Sequence, residues 1–180
     1  MRRNILKKIS TLVLIIVIIG ISGCTDFINK NTTNNVISPN TGFPVSEAPN
    51  LAAEISKAGG NIETIQFKGV TLDQNQCLYI LSRAIVMIDR GQTGNIPIKQ
   101  FGDAVEPGGI LNNAVITRVE YVDMADRTYK WMDNNGRSPN HTGIDFAGSP
   151  DLSTEMTLKT FTEVLTEYKA TGKLPESIAV

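Results

Sequence analysis

The chain has 180 residues, a formal net charge of −1 and 41% hydrophobic residues. That is enough apolar material for one ordinary domain, and it excludes both a highly charged disordered tail and a basic nucleic-acid binder. Two cysteines, Cys24 and Cys77, and a single histidine, His141, provide no metal-binding Cys/His spacing. There is also no phosphate loop and no Gly-x-Ser-x-Gly elbow, so no cofactor is expected.

Residues 1–24 read as an export segment. Arg2, Arg3, Lys7 and Lys8 precede an unbroken apolar run from Leu12 to Ile19, the pattern of a secretory signal. The run ends in Ile21-Ser22-Gly23-Cys24. Small residues before a cysteine resemble a lipobox, which makes Cys24 the expected lipidation site. The alternative is an uncut N-terminal anchor, although the apolar core is shorter than the ~20 residues of a comfortable membrane span. Both readings place the rest of the chain outside the cytoplasm, tethered to the membrane at the cell surface. Residues 25–50 are rich in Asn and Thr, carry Pro39, Pro44 and Pro49, and lack apolar periodicity. They read as a flexible tether that spans about 25–30 Å root-mean-square.

Residues 51–180 form the expected domain. It holds 12 Lys/Arg against 16 Asp/Glu, a formal charge of −4, and its only cysteine is Cys77. No internal disulfide is available to it, so packing alone must hold it together. A short helix is expected over 47–58, closed by Gly59-Gly60. Residues 62–72, with Lys68-Gly69 inside, read as a β-hairpin or paired extended segments. The strongest helix runs from Asp73 to Arg90, with Thr71 or Asp73 as cap and Gln74 or Gln76 as capping-box partner. Ile96-Pro97-Ile98 is a short extended piece, and 102–113 is a loop. Val115 to Val122 is either a strand or the lead-in to a helix. A third helix is expected over 121–134 and a fourth over 154–169, with a polar loop at 140–151 between them.

These helices share an ending. An apolar helical pattern runs into Gly59, Gly91, Gly136 and Gly172, spaced 32, 45 and 36 residues apart. Glycine supplies the left-handed residue past a helix end, and the X-Pro step that follows the last three cannot continue the helix. Counted back from the glycines, apolar residues recur on one face: Met132, Tyr129 and Ala125 before Gly136; Tyr168, Leu165 and Phe161 before Gly172; Met87, Ala84 and Ile80 before Gly91. The expected fold is mainly α with short β-hairpin or extended segments. About four helix-plus-extension repeats stack one on the next, because such a unit cannot bury its apolar face alone.

The stretch Ile65 to Gly91 resembles a pseudomurein-binding repeat. It carries Phe67-Lys68-Gly69-Val70-Thr71-Leu72, then Cys77-Leu78-Tyr79-Ile80-Leu81, then Ala84-Ile85-Val86 and the closing Gly91. Cys77 stands where that family usually has an aromatic residue. The endings Asn134-Asn135-Gly136-Arg137-Ser138-Pro139 and Thr171-Gly172-Lys173-Leu174-Pro175 resemble the closures found near such repeats. The resemblance covers most of residues 51–180, and best the first half. It implies a module that binds pseudomurein, the peptide-crosslinked glycan wall of certain methanogenic archaea. An exported, membrane-tethered chain suits that role. The alternative is a surface adhesion or assembly protein whose repeats bind another protein.

Repeats of this family are often joined to a cysteine endoisopeptidase, which makes Cys77, His141 and Asp145 a candidate triad. Cys77 shares the apolar face of its helix with Leu81 and Ala84, where a free cysteine behaves as a small hydrophobe. The expected protein is therefore non-catalytic. For ligand binding the candidates are Trp131 and Tyr79, whose rings can stack on sugar faces or serve as core, and Arg137 and Lys173, which follow the repeat glycines. The resemblance implies uronate carboxylates for Arg137 to meet. Asn134, Asn135 and Asn140 surround it as polar rim candidates.

Overall fold

The computed structural model describes residues 37–144 and 151–180. The expected leader with Cys24, the first part of the expected tether and Asp145 lie outside them. In chain order the elements are β1 (Phe43–Pro44), a 3-10 turn (Val45–Glu47), α1 (Ala48–Lys57), β2 (Thr64–Phe67), β3 (Val70–Asp73), α2 (Gln74–Asp89) and β4 (Asn95–Ile96). They continue with β5 (Val115–Thr117), α3 (Arg118–Asn135), β6 (His141–Thr142), β7 (Leu152–Ser153), α4 (Thr154–Thr171) and β8 (Ser177–Ala179). Four helices with short paired strands make the mainly helical fold expected.

Local chemistry sets the boundaries. Asp73, Thr117 and Ser153 cap α2, α3 and α4 by accepting from the backbone N–H of Gln76, Glu120 and Met156. Gln76 and Glu120 return the bond as full capping boxes, which satisfies N–H groups that a helix start leaves open. The box at Thr117 starts α3 three residues before the expected Tyr121, so Val115–Val122 is a strand that becomes a helix. The residue before each cap (Leu72, Ile116, Leu152) is fully buried. At the other end Gly136 and Gly172 take φ of 67° and 72° and bond back to Met132 and Tyr168. Lys68 and Gly69 both have positive φ, which makes the tight hairpin turn between β2 and β3.

Counting from the caps rather than from the glycines shows the core register. Cys77, Tyr121 and Thr157 occupy one place, followed by Ile80, Met124 and Thr160, then Leu81, Ala125 and Phe161, then Ala84, Thr128 and Val164; all are buried. Gly91 arrives one residue sooner after its cap than Gly136 and Gly172 do. The expected alignment of α2 is therefore shifted by one. Ile88, Ile85 and Leu81, not Met87, Ala84 and Ile80, match Met132, Tyr129 and Ala125.

All four strand pairs are antiparallel: β1 with β4, β2 with β3, β5 with β8, and β6 with β7. The described residues thus contain two copies of strand–helix–strand–strand–helix–strand, with outer strands paired and inner strands paired in each. Helix α1 packs on α4, α2 packs on α3, and α2 meets α4. Exchanging the two halves maps the first contact onto the second and the third onto itself, a pseudo-two-fold pattern. The helices therefore do not stack in chain order. Each helix covers its apolar face chiefly with a helix of the other half, α1 with α4 and α2 with α3.

The fold also starts earlier than residue 51. Ile37, Phe43, Val45 and Ala48 are buried, Phe43 pairs with Ile96 in β1–β4, and its ring lies 5.7 Å from that of Phe67. Residues 37–50 of the expected tether are thus part of the domain. Two extended residues and a single 3-10 turn are too short to show apolar periodicity.

Candidate functional site

Arg127, Trp131 and Asn134 follow one another at i, i+4, i+7 along α3, which makes one exposed-side stripe. Opposite them runs the segment Pro139 to Thr142, which leaves α3 past Gly136 and forms β6. Between the stripe and this segment is a groove of about 560 Å³, within the usual range for ligand pockets. Thr128 and Lys130 of α3 complete the lining, and the far wall is Pro139, Asn140, His141 and Thr142.

The far wall is held in place from behind. The buried Ser138 donates to Asn75 Oδ1 at 2.6 Å, and Asn75 donates in turn to Asp103. Gly102 bonds to Gly136 and Ser138 through the backbone. Asn140 Oδ1 accepts from the N–H groups of Val105 and Glu106. Arg127 bridges the two walls, bonding Asp123 at 2.7 Å on its own helix and the Gly143 carbonyl at 2.7 Å. Lys130 pairs with Asp126; that hydrogen bond raises the Lys130 pKa. Burial pushes the Asp126 carboxyl up, but bonding to Lys130 and the charges of Lys130 and Arg90 outweigh it and hold the carboxyl below its ordinary value. His141 Nε2 lies 3.1 Å from Asp151 Oδ2.

Of the residues singled out from sequence, Trp131, Asn134 and Asn140 line the groove. Arg137 sits at its end with its guanidinium 5.7 Å from the Trp131 ring, a cation–π distance. No carboxylate among the described residues pairs with it. Asn135 donates to the Trp131 carbonyl at 2.7 Å and closes the helix. Lys173 is not part of this group. It lines a second depression of about 490 Å³ with Arg118, Glu167, Tyr168 and Glu176. Tyr79 is not available to a ligand: it is fully buried, its ring 4.7 Å from Phe101 and its hydroxyl accepting from Arg83 at 2.7 Å.

Cys77 lies in the core. Burial, with a smaller contribution from the Asp73 charge, pushes its thiol up to about 12, so the thiolate that a cysteine nucleophile needs is strongly disfavoured. His141 belongs to the groove instead. Arg127, Thr128, Lys130, Pro139, His141 and Thr142 were not foreseen as binding residues. The spacing of Arg127, Trp131 and Asn134 was the available signal for part of them.

The pseudomurein-binding repeat family model matches residues 112–144, which comprise β5, α3, the Gly136 turn and β6. Every groove residue falls inside this match. No curated protein and no solved structure matches the chain. The match lies on the α3 unit, not on Ile65 to Gly91, the stretch whose motif carries the resemblance in the sequence. At the place of Cys77 the α3 unit carries an aromatic, Tyr121, whose hydroxyl donates to the Pro175 carbonyl at 2.6 Å.

Proposed function

We propose that this is a non-catalytic protein of the cell surface, anchored to the membrane through its first 24 residues, that binds the pseudomurein wall. The observation that carries the reading is the coincidence of the family match with the groove: the repeat at 112–144 contributes both its walls. The anchoring part rests on the charged start, the short apolar run and the small residues before Cys24. The non-catalytic part rests on the match being to a binding repeat and on the burial of Cys77.

The test is sedimentation of the detergent-solubilised protein with purified pseudomurein sacculi, and separately with bacterial murein. Retention on pseudomurein alone supports the reading. A folded protein left in the supernatant with intact sacculi contradicts it.

A further inference from the structure

Two threonines that line the groove carry buried hydroxyls with nothing to bond. Thr128 and Thr142 both line it, both are more than nine-tenths buried, and neither Oγ1 has a hydrogen-bond partner among the described residues. Buried helical threonines usually satisfy themselves on the carbonyl four residues back. Thr157 and Thr160 of α4 do so, at 2.9 and 2.8 Å, whereas Thr128 does not. The other repeats show that the fold accepts apolar residues at these places. At the distance of Thr128 from its cap, α2 has Ala84 and α4 has Val164; at the distance of Thr142, the α4 unit has Ile178. Thr162 and Thr166 are also unpaired. They lie on α4, outside the groove.

A hydroxyl buried without a partner carries a desolvation cost that an apolar residue of the same shape avoids. Two of them in one groove, where the neighbouring units use none, point to a ligand that pairs with them. That ligand must offer each of them a hydrogen-bonding group, as the hydroxyls of a sugar do. It must also present an apolar face, because Trp131 stands one helical turn from Thr128 on α3 and Pro139 stands opposite. A pyranose ring has both properties, with hydroxyls on its edge and C–H groups on its face. A peptide backbone offers the polar groups without the face.

We propose that this groove is a saccharide subsite, in which the Trp131 ring carries a pyranose face and the hydroxyls of Thr128 and Thr142 bond its edge. Threonine has more than one staggered well open to it, two of them in a helix, so a seated sugar can recruit both hydroxyls by turning them toward it. The inference deepens the wall-binding reading by choosing glycan over peptide.

Trp131 is the only tryptophan in the chain, so its fluorescence reports on this groove. The detergent-solubilised full chain is titrated with maltotriose, an N-acetylglucosamine trisaccharide, a galacturonate trisaccharide and a tripeptide. A saturable emission change with at least one sugar and none with the tripeptide is expected. Thr128→Val and Thr142→Val each should weaken that binding by about three- to tenfold, the loss of one hydrogen bond. Their thermal stability should be unchanged or raised, which a purely structural role for the hydroxyls does not allow. Calorimetry on Trp131→Ala should show binding reduced by about tenfold or more. No saturable response to any sugar, or undiminished affinity in the Thr128→Val/Thr142→Val double variant, overturns the proposal. If the protein is retained on sacculi yet ignores all three sugars, the subsite fails and wall binding stands. If sugars bind but sacculi do not retain the protein, the subsite stands and the wall-binding reading fails.

Discussion

Phe43 tests where the domain begins. Its side chain is fully buried, it pairs with Ile96 in the strand that closes the first half, and its ring meets Phe67 at 5.7 Å. Replacing a buried phenylalanine by alanine costs about 3–5 kcal/mol, against a total stability of about 5–15 kcal/mol for an ordinary domain. With a urea slope of about 1–3 kcal/mol/M, Phe43→Ala should lower the unfolding midpoint by about 2 M. Ser46→Ala, at an exposed neighbouring position, should leave it within about 0.5 kcal/mol of the parent. The assay is urea unfolding followed by circular dichroism at the helical band. A fragment of residues 37–180 should unfold cooperatively, whereas 51–180, which lacks Phe43, Val45, Ala48 and β1, should not. If Phe43→Ala shifts the midpoint by less than about 0.5 M, or if 51–180 unfolds as sharply as 37–180, residues 37–50 are not part of the core.

Cys77→Ser places a hydroxyl in the same core and should destabilise by about 1–3 kcal/mol; native Cys77 should resist alkylation, and rapid labelling would contradict its burial. The carboxyls of Glu47, Glu120 and Asp126 all sit below their ordinary values. For Glu47, burial works against the shift and the hydrogen bonds from Lys68 and Asn50 win; for Glu120, the bonds from Thr117 dominate. The unfolded chain therefore binds more protons in acid, so the stability these groups contribute is present above about pH 4–5 and lost as pH falls through their folded values. A midpoint that stays flat from pH 6 to pH 3 would count against these pairings. Cys24→Ala should remove an acyl mass from the mature protein, measured by mass spectrometry of membrane fractions; an unmodified Cys24 in the parent would sink the lipid anchor.

What could be read in advance followed from local chemistry. Helix-ending glycines, the Asp73–Gln76 box and the Lys68-Gly69 turn act within a few residues of themselves, so their consequences are legible along the chain. The pairing of halves was not. An apolar face on α1 shows that a partner is needed, but Leu51 and Ile55 do not specify α4 over α2. The register of α2 differs from the one counted back from the glycine because Gly91 follows its cap one residue sooner than Gly136 and Gly172 follow theirs, which only the caps reveal. In the groove, Trp131, Asn134 and Asn140 were visible as polar or aromatic residues near a helix end. Thr128 and Thr142 were not, since a threonine at an apolar place looks like a tolerated core residue until its hydroxyl is found without a partner. Tyr79 was misplaced for the opposite reason, because an aromatic on a strongly apolar helix can belong to either side.

The most direct measurement compares the parent protein with the Trp131→Ala/Arg137→Ala double variant on purified pseudomurein sacculi, with circular dichroism recorded on both. The expected result is that the parent pellets with the sacculi and not with bacterial murein, while the double variant is retained less with its helical signal intact. A parent that stays in the supernatant while folded contradicts wall binding itself, and equal retention of the two proteins contradicts the groove along α3 as the place where it occurs.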